Sequence, residues 1–408
     1  MTADVAIVGG GPAGAALAIA LGRAGNDVVL FERTPDYRWR AGGVFTSPAT
    51  MAAFRRLGLS EGLLAAIARP VPAMRVETPA GASFRLTYGD DGSLAAPAVG
   101  LDRAVLDPAL LELAIAAGVE VRRGMTVTEV TAPERAGGPF QLRTGRANGD
   151  AETHFARVLV GADGIRSRVA RSLGVARPAR FASRTALTYH LADPGPAAPR
   201  DARMRILRDG YVGIAPVPRG RVNVGIVLGP SWRSALHADG AELLATTIVR
   251  ATPATADDAA GWRFGVRCDE LVGASPVGHR VTRKAGAGWF LIGDAAGFLD
   301  PFTGEGIHRA LVSAELAGRA IDGLLSGRLS SEGASGAYER AMLARFRVKD
   351  LVSSVVQAFL ARPALFEYVA RRLARRSGSR ETMGLVMGDL VRAERAFDPR
   401  FLARLLAP

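Results

Sequence analysis

The chain is poor in several residues on which chemistry is often built. Cysteine occurs once in 408 residues, at Cys268. One thiol makes neither a disulfide framework nor a cysteine metal site, and this usage points to a reducing, cytoplasmic setting. Lysine occurs only at Lys284 and Lys349, so arginine carries the formal charge of +13. No run interleaves aromatic and basic residues as an RNA-binding strand does, so nucleic acid is not an expected partner. The positive balance suits the steering of anionic cofactors. No stretch is long and apolar enough to span a bilayer. The apolar segment 5–22 follows Asp4 and is broken by Gly9, Gly10, Gly11, Pro12 and Gly14. That pattern fits neither a signal peptide nor a spanning helix, and a soluble protein is expected.

What is abundant is glycine, 48 residues of it, placed in turns. The run VAIVGGGPAGAALAIAL places Gly9, Gly11 and Gly14 as G-x-G-x-x-G between a short strand and a helix. Gly9 allows the tight turn, Gly11 admits a pyrophosphate close to the backbone, and Gly14 lets the helix approach the strand. Pro12 and Ala13 open a helix whose free N–H groups face the phosphates. DVVLF is the next buried strand. Glu32, with Arg33 beside it, ends that strand where an adenosine ribose would donate hydrogen bonds.

A second loop, GDAAGFLDPFTGEGI, begins at Gly293. Asp294 follows a buried strand and can accept from a polyol. Pro301 leads to Gly304, Gly306 and Ile307, where a helix begins and its N–H groups can face a ring that becomes anionic on reduction. NAD alone has little use for such a site. FAD is long enough to be gripped by one loop at each end. A third element, GADGIRSRVAR, supplies Asp163, either as a helix cap or, beside the other two loops, as a cofactor contact.

These elements predict a discontinuous α/β (α+β overall) protein. A Rossmann-like cofactor domain takes 1–71, 98–180 and 271–335. It is interrupted by an antiparallel-sheet substrate domain in two pieces, 72–97 and 181–270. Residues 336–408 form a C-terminal helical region. Strands are expected at 184–191, 203–208, 211–217 and 222–228, and a helix over Leu101 to Ala117 capped by Asp102. In the tail, Leu365, Val369 and Leu373 share a helical face with Arg371, Arg372, Arg375 and Arg376 nearby. The plain reading is a helix packed on the cofactor domain; peripheral membrane contact is the second.

The three motifs VGGGPAG, GADGIRSRVAR and GDAAGFLDPFTGEGI together resemble the FAD-dependent oxidoreductases of the p-hydroxybenzoate-hydroxylase fold, a group of aromatic hydroxylases, geranylgeranyl and menaquinone reductases and halogenases. The resemblance covers most of the chain and implies further contacts. Arg103 would reach the ribityl-phosphate region. Arg40 and Gly43 would sit in the loop flanking the isoalloxazine. NAD(P)H would visit as a transient reductant.

The reaction is less marked than the cofactor. The second loop is closest to the reductases, yet Ala41 stands where they commonly carry cysteine, and residues 211–216 lack their tryptophan. Halogenases need a lysine and two tryptophans that do not fall in the matching places. Monooxygenation demands only a dry, aligned site, and a hydroxylase acting on an apolar or aromatic small molecule is expected ahead of a double-bond reductase. A flavin- or prenyl-binding protein without turnover is a third class. No catalytic side chain and no metal site are singled out; Tyr211, His190 and His308 are candidate polar groups with structural roles more expected. Oligomeric state is not legible.

Overall fold

The computed structural model describes residues 2–37, 42–88, 97–135, 137–146, 149–178, 184–193, 200–250 and 265–406. The strand Thr2–Val8 lies inside an eight-stranded sheet. Across that sheet the order is Ala285–Gly286, Trp289–Leu291, Ala151–Gly161, Thr2–Val8, Val28–Glu32, Glu120–Arg123. Its inner strands pair in parallel. Val5, Ala6, Ile7, Leu30 and Leu159 are fully buried, as expected of parallel strands covered on both faces. The helices Pro12–Arg23 and Gly306–Leu325, each just after a glycine-rich loop, pack together, and Arg103–Ala116 packs on the first of them.

One long strand, Ala151–Gly161, serves two kinds of neighbour. Its first half pairs antiparallel with Phe140–Gly145, and its second half pairs parallel with Thr2–Val8 and Trp289–Leu291. The change from alternating to continuous burial along it marks the switch from a half-solvated to a fully covered setting.

The second sheet has seven strands in the order Val272–Val277, Arg184–Ala192, Arg221–Leu228, Gly210–Val217, Ala202–Leu207, Ala73–Glu77, Ser83–Thr87. The pieces near 72–97 and 181–270 are therefore one sheet. They join through a parallel pairing of Ala202–Leu207 with Ala73–Glu77 in an otherwise antiparallel sheet. The sheet extends past the expected limit at 270, because Val272–Val277 pairs with Arg184–Ala192. Within the stretch read as sheet lies a helical segment, Arg233–Arg250, broken at Gly240 (φ 76°, ψ 159°). Leu244, Ala245, Ile248 and Val249 bury one face of it over the sheet, a spacing of helical period.

Four helices close the chain: Ser331–Leu360, Pro363–Arg375, Ser377–Met387 and Pro399–Leu406. The helix Pro363–Arg375 packs on the strand Ser83–Thr87 of the second sheet and not on the cofactor domain. Val369 and Leu373 are buried there, whereas Leu365 is exposed.

Candidate functional site

At the first loop, the glycines divide by what surrounds them. Gly9 has φ +110°, and a Cβ there would stand 2.4 Å from the carbonyl oxygen of Ala162. A Cβ on Gly14 would stand 1.9 Å from the oxygen of Gly9. Both positions are closed by the protein itself. Gly11 has nothing within 4 Å of its Cβ position and caps the helix with no side-chain hydrogen bond. The start of Pro12–Arg23 therefore has room for a group beside Gly11, and its first-turn N–H groups have no intrahelical partner, the arrangement that receives phosphate.

Glu32 is buried at the end of its strand. Its Oε2 accepts from the Gly10 N–H at 2.9 Å, and its Oε1 from the N–H and hydroxyl of Thr34 at 3.0 and 2.6 Å. The carboxylate is thus held in place, at a small cleft also lined by Tyr37, Asp107, Leu111 and Arg123. Arg33 points to solvent. Gly10, one of the residues anchoring Glu32, was not singled out from the sequence, since its N–H partner lies 22 residues away.

The second loop folds onto the first. Gly293 (φ +57°) lies so near Ala13 that a Cβ would be 2.8 Å from the alanine methyl, and its N–H donates to Ser313 Oγ at 2.8 Å. Pro301 opens a short turn held by Asp300, whose Oδ1 accepts from the Phe302 N–H. Gly304 (φ +67°) is pressed against Phe45. Gly306, like Gly11, has nothing within 4 Å of its Cβ position. Each loop thus has a glycine facing free space at a helix start.

Three more expected residues meet here. A Cβ on Gly43 (φ +70°) would stand 2.4 Å from Arg103 Nη1 and 3.0 Å from Ile307 Cδ1. Arg103 makes a bidentate pair with Asp107 at 2.5 and 2.6 Å and donates to the Gly42 carbonyl at 3.2 Å. Arg40 lies outside the described residues.

Asp294 sits at this junction, partly buried, and no protein donor among the described residues bonds its carboxylate. Burial pushes it up to about 6, against the pull of the Arg103 and Arg309 guanidiniums. A carboxylate short of donors fits a polyol hydroxyl. Asp163 joins the N-cap Ser167 in capping the start of the helix Arg168–Ser172, its Oδ2 accepting from the N–H groups of Arg168 and Val169 at 2.6 and 3.2 Å. Its Oδ1 is buried without a partner, so the cap leaves one acceptor unused.

The comparisons with known proteins bear on this geometry. A family model described as "FAD binding domain" matches residues 2–345. The chain belongs to that FAD-binding family. It is 29% identical to a menaquinone reductase of Mycolicibacterium smegmatis over 99% of this chain and 95% of that one. It is 30% identical to a menaquinone reductase of Mycobacterium tuberculosis, over 79% and 77% of the two chains. Among solved structures, a geranylgeranyl bacteriochlorophyll reductase-like protein from Thermoplasma acidophilum superposes with a TM-score of 0.77, at 22% identity and 99% coverage of both chains. The likeness at that identity speaks for the fold.

This FAD-binding chain is therefore an FAD-dependent oxidoreductase, and its remaining features concern what the cofactor faces. An open cavity of about 170 Å³ lies between the second sheet and the C-terminal helices. Phe45 and Phe302, close in sequence to Gly43 and Gly304, belong to its lining. Met74, Phe84 and Met204 line it from the sheet, and Phe359, Phe366 and Leu373 from the helices. Among the described residues, Tyr88 and Thr303 are its only hydroxyl-bearing lining residues.

Beside the flavoprotein's second loop lies an ion network that sequence reading missed. Lys349 is buried, with Nζ 3.1 Å from both Glu305 and Asp389. Burial drives Glu305 up to about 7 against the attraction of Lys349. Arg309 makes a bidentate pair with Asp350 at 2.5 and 3.0 Å. Tyr211 donates to Asp300 at 2.7 Å, and Arg184 holds the other oxygen of Asp300 at 2.7 Å. Edge-on, the Tyr211 ring meets Phe302. His190 is tied to Asp269 in the second sheet at 2.5 Å. His308 is buried with Nε2 3.2 Å from Arg345. Neither histidine lines the cavity.

Proposed function

We propose that this chain reduces carbon–carbon double bonds of a polyisoprenoid substrate, with NAD(P)H as the transient reductant. The cavity carries the reading: a space walled almost wholly by apolar side chains, with Phe45, Phe302 and Thr303 in its lining beside the second sheet and the C-terminal helices. Such a wall takes a long hydrocarbon and offers little to orient a polar aromatic ring. The relatives named as menaquinone and digeranylgeranylglycerophospholipid reductases support the same reading. It reverses the preference for oxygen transfer expressed from the sequence, for which these relatives give no support.

In this reading Gly9, Gly11, Pro12, Ala13 and Gly14 present the helix start to the pyrophosphate, and Glu32 marks the adenosine end. Asp294 accepts from the ribityl hydroxyls, with Arg103 and Asp163 nearby. Gly43, Pro301, Gly304, Gly306 and Ile307 would hold the ring end. FAD, when bound, supplies the two-electron reducing equivalent. Adding hydrogen across a double bond also needs a proton, and the wall offers the hydroxyls of Tyr88 and Thr303 for that purpose. Phe45 and Phe302 keep water from the reacting end.

The test is product mass. FAD-loaded protein, NAD(P)H and a geranylgeranyl lipid or menaquinone are incubated without oxygen. The expected product has gained two hydrogens per reduced bond. A product formed only in air and carrying an added oxygen atom contradicts the proposal.

A further inference from the structure

The helix Ser331–Leu360 buries one face and leaves a stripe of large apolar side chains on another. Leu343, Leu351 and Val355 are 59%, 51% and 36% exposed. Their spacing of i, i+8 and i+12 places them on one ridge, with exposed Arg347 at i+4. On the next helix, Leu365 and Tyr368 are also exposed. Between residues 340 and 376 there are nine basic residues and two acidic ones. Six of the basic ones, Arg340, Arg345, Arg347, Arg362, Arg371 and Arg375, are exposed. Both acids are already engaged, Asp350 with Arg309 and Glu367 with Arg371. This stretch therefore sets exposed apolar side chains among an excess of cations.

Val355 belongs to that stripe and also lines the apolar cavity, along with Val352, Val356 and Phe359 of the same helix. A cavity wall residue that is itself exposed marks where the cavity opens.

We propose that this face docks on an anionic lipid bilayer, so that the cavity mouth at Val355 opens towards hydrocarbon. The proposal rests on the reductase reading in one respect only: a polyisoprenoid would enter here without crossing water. Leucines interspersed with arginines along the outer faces of two helices suit the boundary between headgroups and acyl chains. A protein-docking patch would gather its apolar residues at the centre and exclude charge from it.

The experiment is flotation of the FAD-loaded protein with vesicles of phosphatidylcholine, alone or mixed with phosphatidylglycerol. The wild type is expected to float with the mixed vesicles and much less with the neutral ones. The variant Leu343→Ser, Leu351→Ser, Arg347→Glu should bind the mixed vesicles at least about tenfold more weakly. Its FAD content and melting temperature should be unchanged, since all three residues are exposed. Absence of wild-type binding, or equal flotation of the variant, overturns the proposal. So does a wild-type dimer by light scattering that the variant dissociates, since the stripe would then be a self-interface. Turnover of a short isoprenoid in detergent is read in parallel. Its absence from wild type and variant alike would sink the reductase reading and leave the flotation result standing.

Discussion

Asp294 and the two open glycines connect local chemistry to cofactor binding. Free in an unfolded chain, an aspartate ionises near pH ~4, whereas burial holds Asp294 at about 6 in the folded protein. The folded state thus binds this proton more tightly than the unfolded one. Stability of the FAD-free protein should fall as pH rises from about 4 to about 6, and Glu305 extends the trend to about 7. Thermal melts of the apoprotein should show Asp294→Asn losing less stability than wild type over the lower part of that range. Hydroxyl donors favour the ionised acid, so FAD should bind wild type more tightly at pH 8 than at pH 5. Asp294→Ala should loosen FAD while leaving the protein folded; unchanged FAD titrations would count against the assignment. Gly11→Ala and Gly14→Ala separate ligand space from packing. The first adds a methyl where no protein atom lies within 4 Å. It should cost at most about 1 kcal/mol of stability yet reduce FAD retention. The second drives a methyl to 1.9 Å from the Gly9 oxygen and should show its loss first in a denaturant melt. The close packing at Gly14 was legible in the sequence because a glycine turn is a local device, its meaning set by the strand before it and the helix after it. The anchoring of Glu32 by Gly10 was not, because the pairing crosses from one strand end to a neighbouring loop.

At the scale of elements, the strands with regular alternation and glycine or proline boundaries stand close to where periodicity placed them, as with Arg221–Leu228 and Gly210–Val217. The segment Arg233–Arg250 was hidden by Gly240 and by a buried face of only four residues. Nothing local in Val272–Val277 says which sheet it joins. The C-terminal helices were readable as helices, but not what they touch. Lys349 binds the long helix to the second loop through Glu305 and to the turn after Ser377–Met387 through Asp389. Lys349→Met strands two buried acids and should cost about 3 kcal/mol or more at pH 8. The cost should shrink near pH 5, where Glu305, held at about 7, takes up a proton. Chemical denaturation at both pH values checks this, and an equal loss at both would show that lost packing, not charge, dominates.

Over the whole molecule, the cofactor fold was legible because three motifs agree on it, whereas the cavity was not. Its wall draws on Phe45, on Met74 to Tyr88, on Met204, on Phe302 and on residues from Val352 to Leu405. None of these segments carries a signal of its own; the space exists only once the sheet and the C-terminal helices close over each other. The sequence reading assigned substrate binding to a sheet domain of 72–97 and 181–270; the cavity is lined by that sheet through Met74 to Tyr88 and Met204, and also by the C-terminal helices, which the reading had not brought to it. Filling it with Leu373→Trp should abolish turnover of a long substrate while FAD content stays at the wild-type level, read by activity and flavin absorbance together. The most direct test of double-bond reduction is rapid mixing of the fully reduced protein with a polyisoprenoid in the strict absence of oxygen, following flavin absorbance. Reoxidation that depends on substrate concentration and needs no oxygen is the predicted result. A flavin that stays reduced until oxygen is admitted, and then yields an oxygenated product, would contradict it.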